Sequence, residues 1–270
     1  MIKSRPIKDH HYSHRTKKGK AFTYWYTTDE KYFIGDSPGM KARKSNPTLT
    51  MASLIGKSII DNPWQEWESE NAEMIISRTN GIPINYLKTT DQEKIQFYED
   101  TALVDVYEHL TRALAPDTII TFKMIAAWHD MVFKKIYPFA GKVRTVELSK
   151  GSSTHHTEWT WRMSYLNGID GLDRLVQKTS AESINDIEII SLKVAEAVSE
   201  FLFIHPFREG NGRIGRLLGD IILAKNNFPM IGMNLMTDEL DYLKRVREGY
   251  SKNYKPLEEI IEEKLIERIS

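Results

Sequence analysis

Between residues 205 and 216 the chain reads His-Pro-Phe-Arg-Glu-Gly-Asn-Gly-Arg-Ile-Gly-Arg, and most of the polar residues in that string have a chemical use. Two glycines run into an apolar series (Ile214, Leu217, Leu218, Ile221, Ile222) with helical spacing, which places a loop, read as 205–212, at a helix N-terminus. Unpaired backbone N–H groups and the positive end of the helix dipole attract anions there, and phosphate is the natural guest. Gly210, Asn211 and Gly212 supply the loop amides, and the Asn211 side chain can steady either the loop or the phosphates. Arg213 and Arg216, three apart, share one helix face and can fork onto phosphate oxygens. Glu209 would repel a phosphate unless a cation lay between them, so it is read as a Mg²⁺ ligand, with phosphate oxygens and water filling the other positions. His205 is the one side chain here whose ordinary pKa lets it accept a proton near neutrality, which makes it the candidate general base. Such a set suits transfer from a nucleotide to a hydroxyl, driven by positioning and charge neutralisation.

The string resembles the Fic family motif His-Pro-Phe-x-(Asp/Glu)-Gly-Asn-Gly-Arg-x-x-Arg, with every specified position filled. From average residue usage such a match arises by chance in a chain of this length on the order of once in 10⁹, so coincidence is set aside. The resemblance runs over roughly residues 90–255. It includes Tyr137-Pro138-Phe139-Ala140-Gly141-Lys142-Val143-Arg144, which is similar to the family's segment leading into its target-docking hairpin, the flap. What the resemblance implies is a mainly α, Fic-type helical bundle with a short β-hairpin flap over the active-site cleft. The implied activity is protein adenylyltransferase: AMP passes from ATP, the co-substrate with Mg²⁺, to a Ser, Thr or Tyr hydroxyl of a target protein, and pyrophosphate leaves. His205 would be the base, Glu209 the metal carboxylate, and Arg213 and Arg216 the phosphate ligands. Related Doc kinases depart from this loop and deliver phosphate, whereas Gly212 and Arg216 match the nucleotidyl-transferring form. The alternative is a nucleotide-binding regulatory module of the same fold without efficient turnover.

Other candidates follow from position alone. Tyr250 and Asn253, after the motif helix, are placed at the adenine side; Val146, Glu147, Leu148, Ser149 and Lys150 are read as the docking strand of the flap. The inhibitory pattern of many relatives, Ser/Thr-x-x-x-Glu-Gly/Asn, is not matched: Glu70-Asn71 follows Glu66, Glu248-Gly249 follows Lys244, and Thr89 to Glu93 ends in Lys94. The expectation is that the chain has no internal brake or takes one from a separate small inhibitory protein, as in a toxin–antitoxin pair. Gly56-Lys57-Ser58 imitates the end of a Walker A loop, but Met51 stands where the first glycine is needed. His10, His11, His155 and His156 are adjacent pairs whose members point to opposite faces of a strand, with no third ligand spaced to join them. Trp64, Trp67, Trp159 and Trp161 are read as packing rather than a partner surface.

The elements that must hold these residues are mostly helices. Ile95, Tyr98, Ala102, Val106 and Leu110 recur at spacings of three and four, as do Phe122, Ala126, His129, Phe133 and Ile136, with Pro138 and Gly141 ending that second helix. Ile187, Ile190, Val194, Val198 and Phe201 define a central helix over about 186–203 that stops at His205-Pro206. Two charged helices are expected over about 237–250 and 256–269. A hairpin is read around 150–154, and the stretch from Ala21 to Ile34 is rich in aromatics and Thr, as strands are. The expected organisation is an N-terminal extension, β or irregular, over 1–60; a helical domain over 61–255; and a charged C-terminal helix over 256–270.

Composition is consistent with that picture. The 270 residues carry 37 basic and 37 acidic side chains, which gives no whole-chain field to draw nucleic acid or an anionic membrane. Residues 1–50, however, hold eleven basic and four acidic residues, so a local patch able to recognise an acidic partner remains. The absence of cysteine excludes disulfides, thiolate metal sites and cysteine nucleophiles. The N-terminus lacks the apolar run of a signal peptide and no stretch approaches a membrane span, so a cytoplasmic site is expected, although export without a cleaved signal would look the same. An oligomer is also compatible with this sequence.

Overall fold

Asp91, Thr121 and Asp186 each turn a side-chain oxygen back onto the amide three residues ahead, and a helix starts after each of them. The computed structural model describes residues 11–15, 21–25, 45–46, 49–55, 82–145, 148–152, 155–158, 162–232 and 239–269. Among these, eight helices and two hairpins run in the order β1 (His11–Arg15), β2 (Ala21–Trp25), α1 (Met51–Ile55), α2 (Gln92–Ala113), α3 (Phe122–Phe133), β3 (Ser149–Ser152), β4 (His155–Glu158), α4 (Arg162–Ala181), α5 (Ile187–Ile204), α6 (Asn211–Lys225), α7 (Glu239–Gly249) and α8 (Lys255–Ile269). The architecture is mainly α, as the spacings imply. β1 pairs antiparallel with β2, and β3 with β4, Ser149 opposite Glu158 and Ser152 opposite His155.

The central element is α5. Ile187, Ile190, Val194, Ala195, Ala197, Val198 and Phe201 are fully buried, and the helix is walled by α4, α6, α7 and α8. A helix enclosed on most sides has to be apolar on most sides, which the composition of this segment supplies. Gly215 brings α6 close to it: a Cβ there would stand 3.2 Å from Leu202 and 3.3 Å from Phe201. On its other side α6 meets α2 and α3. The Tyr107 hydroxyl donates to Asp220 Oδ2 at 2.7 Å, and Asp220 Oδ1 accepts from the Ile231 and Gly232 amides at 3.0 and 3.1 Å, so the segment after α6 is tied down. Burial lifts the Asp220 carboxyl to about 6, with those three donors pulling the other way.

Two boundaries and two whole elements differ from the spacing-based reading. α6 begins at Asn211, so the connecting loop is 205–210 and Asn211 and Gly212 are helical. α3 ends at Phe133, before Pro138 can act, because the Ile136 and Tyr137 amides both turn back to the Phe133 carbonyl while the Ile136 carbonyl accepts from Tyr86. α4 is an element the spacings did not predict; its apolar positions are broken up by Asn167, Gly168 and Gly171. The short α1 was likewise not expected; its Met51 amide donates to Asp105 Oδ2 at 2.7 Å. The Walker-like tripeptide, the four tryptophans singled out above, and Val146 and Glu147 lie outside the described residues.

Candidate active site

α5 ends on His205, whose φ of 51° and ψ of 60° swing the chain out of the helix. A residue with a Cβ rests in this left-handed region only when its surroundings fix it there. Its amide donates to the Phe201 carbonyl at 2.9 Å, and ring Nδ1 lies 3.1 Å from the Leu202 carbonyl. A carbonyl can only accept, so Nδ1 carries the proton and Nε2 is the basic nitrogen. Arg144, fully buried, reaches in from the segment after α3. Its Nε–H donates to the His205 carbonyl at 2.8 Å, Nη2 lies 3.5 Å from the Ile204 carbonyl, and its main-chain amide donates to the Pro206 carbonyl at 2.8 Å.

The loop that follows is braced from within. Asn211 Oδ1 accepts from the Phe207 amide at 3.0 Å and its Nδ2 donates to the Phe207 carbonyl at 2.7 Å, so its side chain steadies the loop. The buried Phe207 ring stacks on His129, centroids 4.0 Å apart. His129 Nδ1 accepts from the Gly141 amide at 2.8 Å, which leaves Nε2–H to donate to the Glu209 carbonyl at 2.9 Å. Burial drives the His129 pKa down to about 4, so it serves as a neutral bridge at neutral pH. Gly210, with φ of 80°, starts α6, and a Cβ there would stand 2.4 Å from the Phe133 ring. No side chain caps this helix start, and the Glu209 carboxylate lies beside it, Oε1 accepting from the Gly210 amide at 3.1 Å. An uncapped N-terminus beside a carboxylate, one short loop on from an imidazole, is an arrangement for an anion, a cation and a proton acceptor.

The two arginines meet different surroundings. Arg213 pairs with Glu99 Oε2 at 2.7 Å and lies 3.8 Å from Asp100 Oδ1, while Glu99 Oε1 accepts from the Tyr137 hydroxyl at 2.9 Å. Burial works against the Arg213 charge, but Glu99, Asp100 and Glu209 hold it protonated. Burial also pushes the Glu99 carboxyl above its ordinary range, against the pull of Arg213. Arg216 is half-buried, burial lowers its pKa, and no carboxylate among the described residues forms an ion pair with it. Glu99, Tyr137, His129 and Arg144 are thus part of the site without being recognisable in the motif. His129 reads as one more member of an apolar stripe, and Tyr137 and Arg144 are read only as the ends of the segment leading into the flap.

The remaining candidates scatter. Tyr250 is half-buried just beyond α7, its ring centroid 5.1 Å from that of Phe203, two residues before the base. Asn253 is exposed and its Nδ2 lies 3.4 Å from Glu248 Oε2. Of the flap residues, Leu148 is half-buried and Ser149 and Lys150 open β3. Glu93 is exposed on the first turn of α2, and Glu70 lies outside the described residues. A hollow of about 310 Å³ lies between α4 and α5 where Gly168 and Gly171 face Phe203 and Ile204. No group of three ligating side chains able to hold a metal occurs among the described residues, and no helix among them is long and apolar enough to cross a membrane.

Residues 119–223 match the model of the Fic/DOC family. The chain is 26% identical over 133 residues to a probable protein adenylyltransferase of Sinorhizobium fredii, covering 48% of this chain and 64% of that protein. It is 40% identical over 47 residues to a Fido domain-containing protein of Dictyostelium discoideum, covering 17% of this chain and 32% of that one. The chain therefore spans less than two thirds of either curated relative. Among solved structures it superposes on the Bartonella tribocorum effector BepC with bound AMPPNP at a TM-score of 0.60, with 14% identity over 72% of this chain and 97% of that one. C. elegans Fic-1 superposes with a TM-score of 0.52 and 18% identity over 67% of this chain and 52% of that one. At these identities the structures establish a shared fold.

Proposed function

Because residues 119–223 carry a Fic/DOC family domain, we propose that the chain is a protein adenylyltransferase that moves AMP from ATP to a Ser, Thr or Tyr hydroxyl of a target protein. The observation that carries this reading is the fixed tautomer of His205: Nδ1–H on the Leu202 carbonyl makes Nε2 the proton acceptor, one loop away from an uncapped helix start. In the proposed step Nε2 takes the hydroxyl proton as the hydroxyl oxygen bonds to the α-phosphorus, and the bond from that phosphorus to the pyrophosphate oxygen breaks. The amides of Asn211 and Gly212 and the Arg216 guanidinium hold phosphate oxygens, and Arg213, anchored by Glu99, adds a second cation.

The donor set suits a magnesium ion that arrives with the nucleotide. Mg²⁺ is commonly held by one or two carboxylates plus substrate phosphates rather than by an all-protein cage, and Glu209 places a carboxylate at the helix start. When bound, the ion would neutralise charge on the phosphate oxygens. The AMPPNP seen in BepC supports ATP as the co-substrate.

Label transfer from α-phosphate-labelled ATP to proteins of a cell lysate, read beside nucleotide titration, tests this assignment. His205→Ala is expected to lower transfer at least about 100-fold with nucleotide affinity nearly unchanged, and Arg216→Ala to weaken both. Wild-type labelling by His205→Ala would refute the base. Nucleotide binding without any transfer by the wild-type chain would favour a regulatory module.

A further inference from the structure

We propose that Arg144 is a positioning residue for the transfer reaction: its buried guanidinium holds the His205 turn in the one conformation that keeps Nε2 as the basic nitrogen, and it ties that turn to the root of the β3–β4 hairpin. This rests on the assignment of His205 as the base.

The C-terminal residues of a helix leave carbonyl groups without partners, and a helix that leaves through a left-handed residue usually does so on glycine. Here the position is His205, with φ of 51°, so the turn needs another source of support. Arg144 provides it with a planar fork. Nε donates to the carbonyl of His205 itself at 2.8 Å, and Nη2 lies 3.5 Å from that of Ile204. Two successive carbonyls at the negative end of α5 are thus held by one rigid cation, a geometry that a lysine ammonium, as a point donor, cannot reproduce. The side chain is fully buried, so it is not an ordinary surface arginine, and a charge removed from water persists only where hydrogen bonds compensate it.

Its placement along the chain adds a second constraint. The Arg144 main-chain amide donates to the Pro206 carbonyl at 2.8 Å, so backbone and side chain of one residue grip residues 205 and 206 together. Five residues later β3 begins at Ser149. A shift at the root of the hairpin is therefore transmitted to the turn that carries the base. The imidazole is exposed to that shift because Nδ1–H points at the Leu202 carbonyl at 3.1 Å, a contact that a rotation of the turn would lengthen. The phosphate-holding groups sit on α6 and do not pass through Arg144. Loss of the arginine should then separate the chemical step from nucleotide binding.

The test uses the full chain with ¹⁵N-labelled histidine and the variants Arg144→Lys and Arg144→Gln, beside wild type and His205→Ala. Three quantities are read: AMPPNP affinity, the rate of label transfer from ATP at saturating nucleotide, and the ring-nitrogen shifts of His205. Arg144→Gln is expected to keep AMPPNP affinity within about twofold and to lower the saturated rate about 100-fold, the scale on which misplacement of a reacting group acts. Arg144→Lys should lose about tenfold. In both variants the His205 shifts should move from the Nδ1–H tautomer toward a mixture. If Arg144→Gln does not fold, Arg144→Lys decides through the same three readings. A folded variant with the wild-type tautomer and rate overturns the proposal. So does a loss of affinity in proportion to rate, which would make Arg144 a support of the fold alone. Absence of transfer in the wild type would instead remove the adenylyltransferase reading, while the tautomer measurement would still decide Arg144.

Discussion

Arg213 and Arg216 stand three residues apart on one helix, yet they offer an anion different things. Arg213 already has a carboxylate at 2.7 Å, so in the proposed reaction a phosphate would share it with Glu99. Arg216 has no such ion pair among the described residues, and burial penalises its charge, so in the proposed reaction a phosphate there would relieve a cost as well as form a contact. Glu99→Gln should therefore act in two directions. Breaking a largely buried pair is expected to destabilise the fold by about 2–3 kcal/mol, reduced from the fully buried case because Arg213 is 19% exposed. Removing a negative charge beside the anion loop should tighten ATP binding severalfold. Thermal melting and nucleotide titration on the same sample check both, and unchanged affinity would show that Glu99 does not compete with phosphate. At this scale the candidate site is legible where polar residue types cluster: His205, Glu209, Gly210 and the two arginines stand out by type and spacing. Glu99 and His129 do not, and Tyr137 and Arg144 stand out only as part of the segment leading into the flap, because the contacts of each exist only once distant segments meet.

At the scale of elements, the working unit is α5, six loop residues and α6. Its geometry depends on Gly210, where positive φ and the Phe133 ring both exclude a side chain. Gly210→Ala should cost about 3 kcal/mol, combining left-handed strain of roughly 1–2 kcal/mol with overpacking of roughly 1–3 kcal/mol. Pairing it with Phe133→Leu separates the two: a double-mutant cycle should recover the steric part as a favourable coupling, and strict additivity would show that Phe133 moves aside without cost. The periodic helices α2, α5 and α6 are predictable because their apolar faces repeat without interruption. α4 escapes prediction because Gly168 and Gly171 break its stripe, and the loop looks two residues too long because Gly212 suggests flexibility where the chain is already helical.

For the whole molecule, two buried groups set opposing responses to acid. Between about pH 4 and 6.5 the unfolded chain binds a proton at His129 that the folded chain refuses, so this contribution to stability falls as the pH falls through that window. Asp220 does the reverse: held up at about 6, it takes a proton in the folded state over a range where the unfolded carboxyl remains ionised, which favours the folded state as the pH falls. Each amounts to about 3 kcal/mol, so they largely offset. Asp220→Asn removes one of the pair. Its melting temperature should drop below that of the wild type by a margin that widens by several degrees between pH 7 and about pH 4.5; a constant margin would mean that Asp220 does not titrate there. Both groups also link parts of the chain that are far apart in sequence. Tyr107 meets Asp220 across 113 residues, His129 meets Glu209 across 80, and Arg144 meets His205 across 61. The chemical string is local, but Glu99, His129 and Arg144 reach it from far upstream, and α7 and α8, which wall α5, follow it in the chain, which makes assembly of the site a late, non-local event in folding. A chain still emerging from the ribosome with its motif just complete would hold every reactive group and no active site.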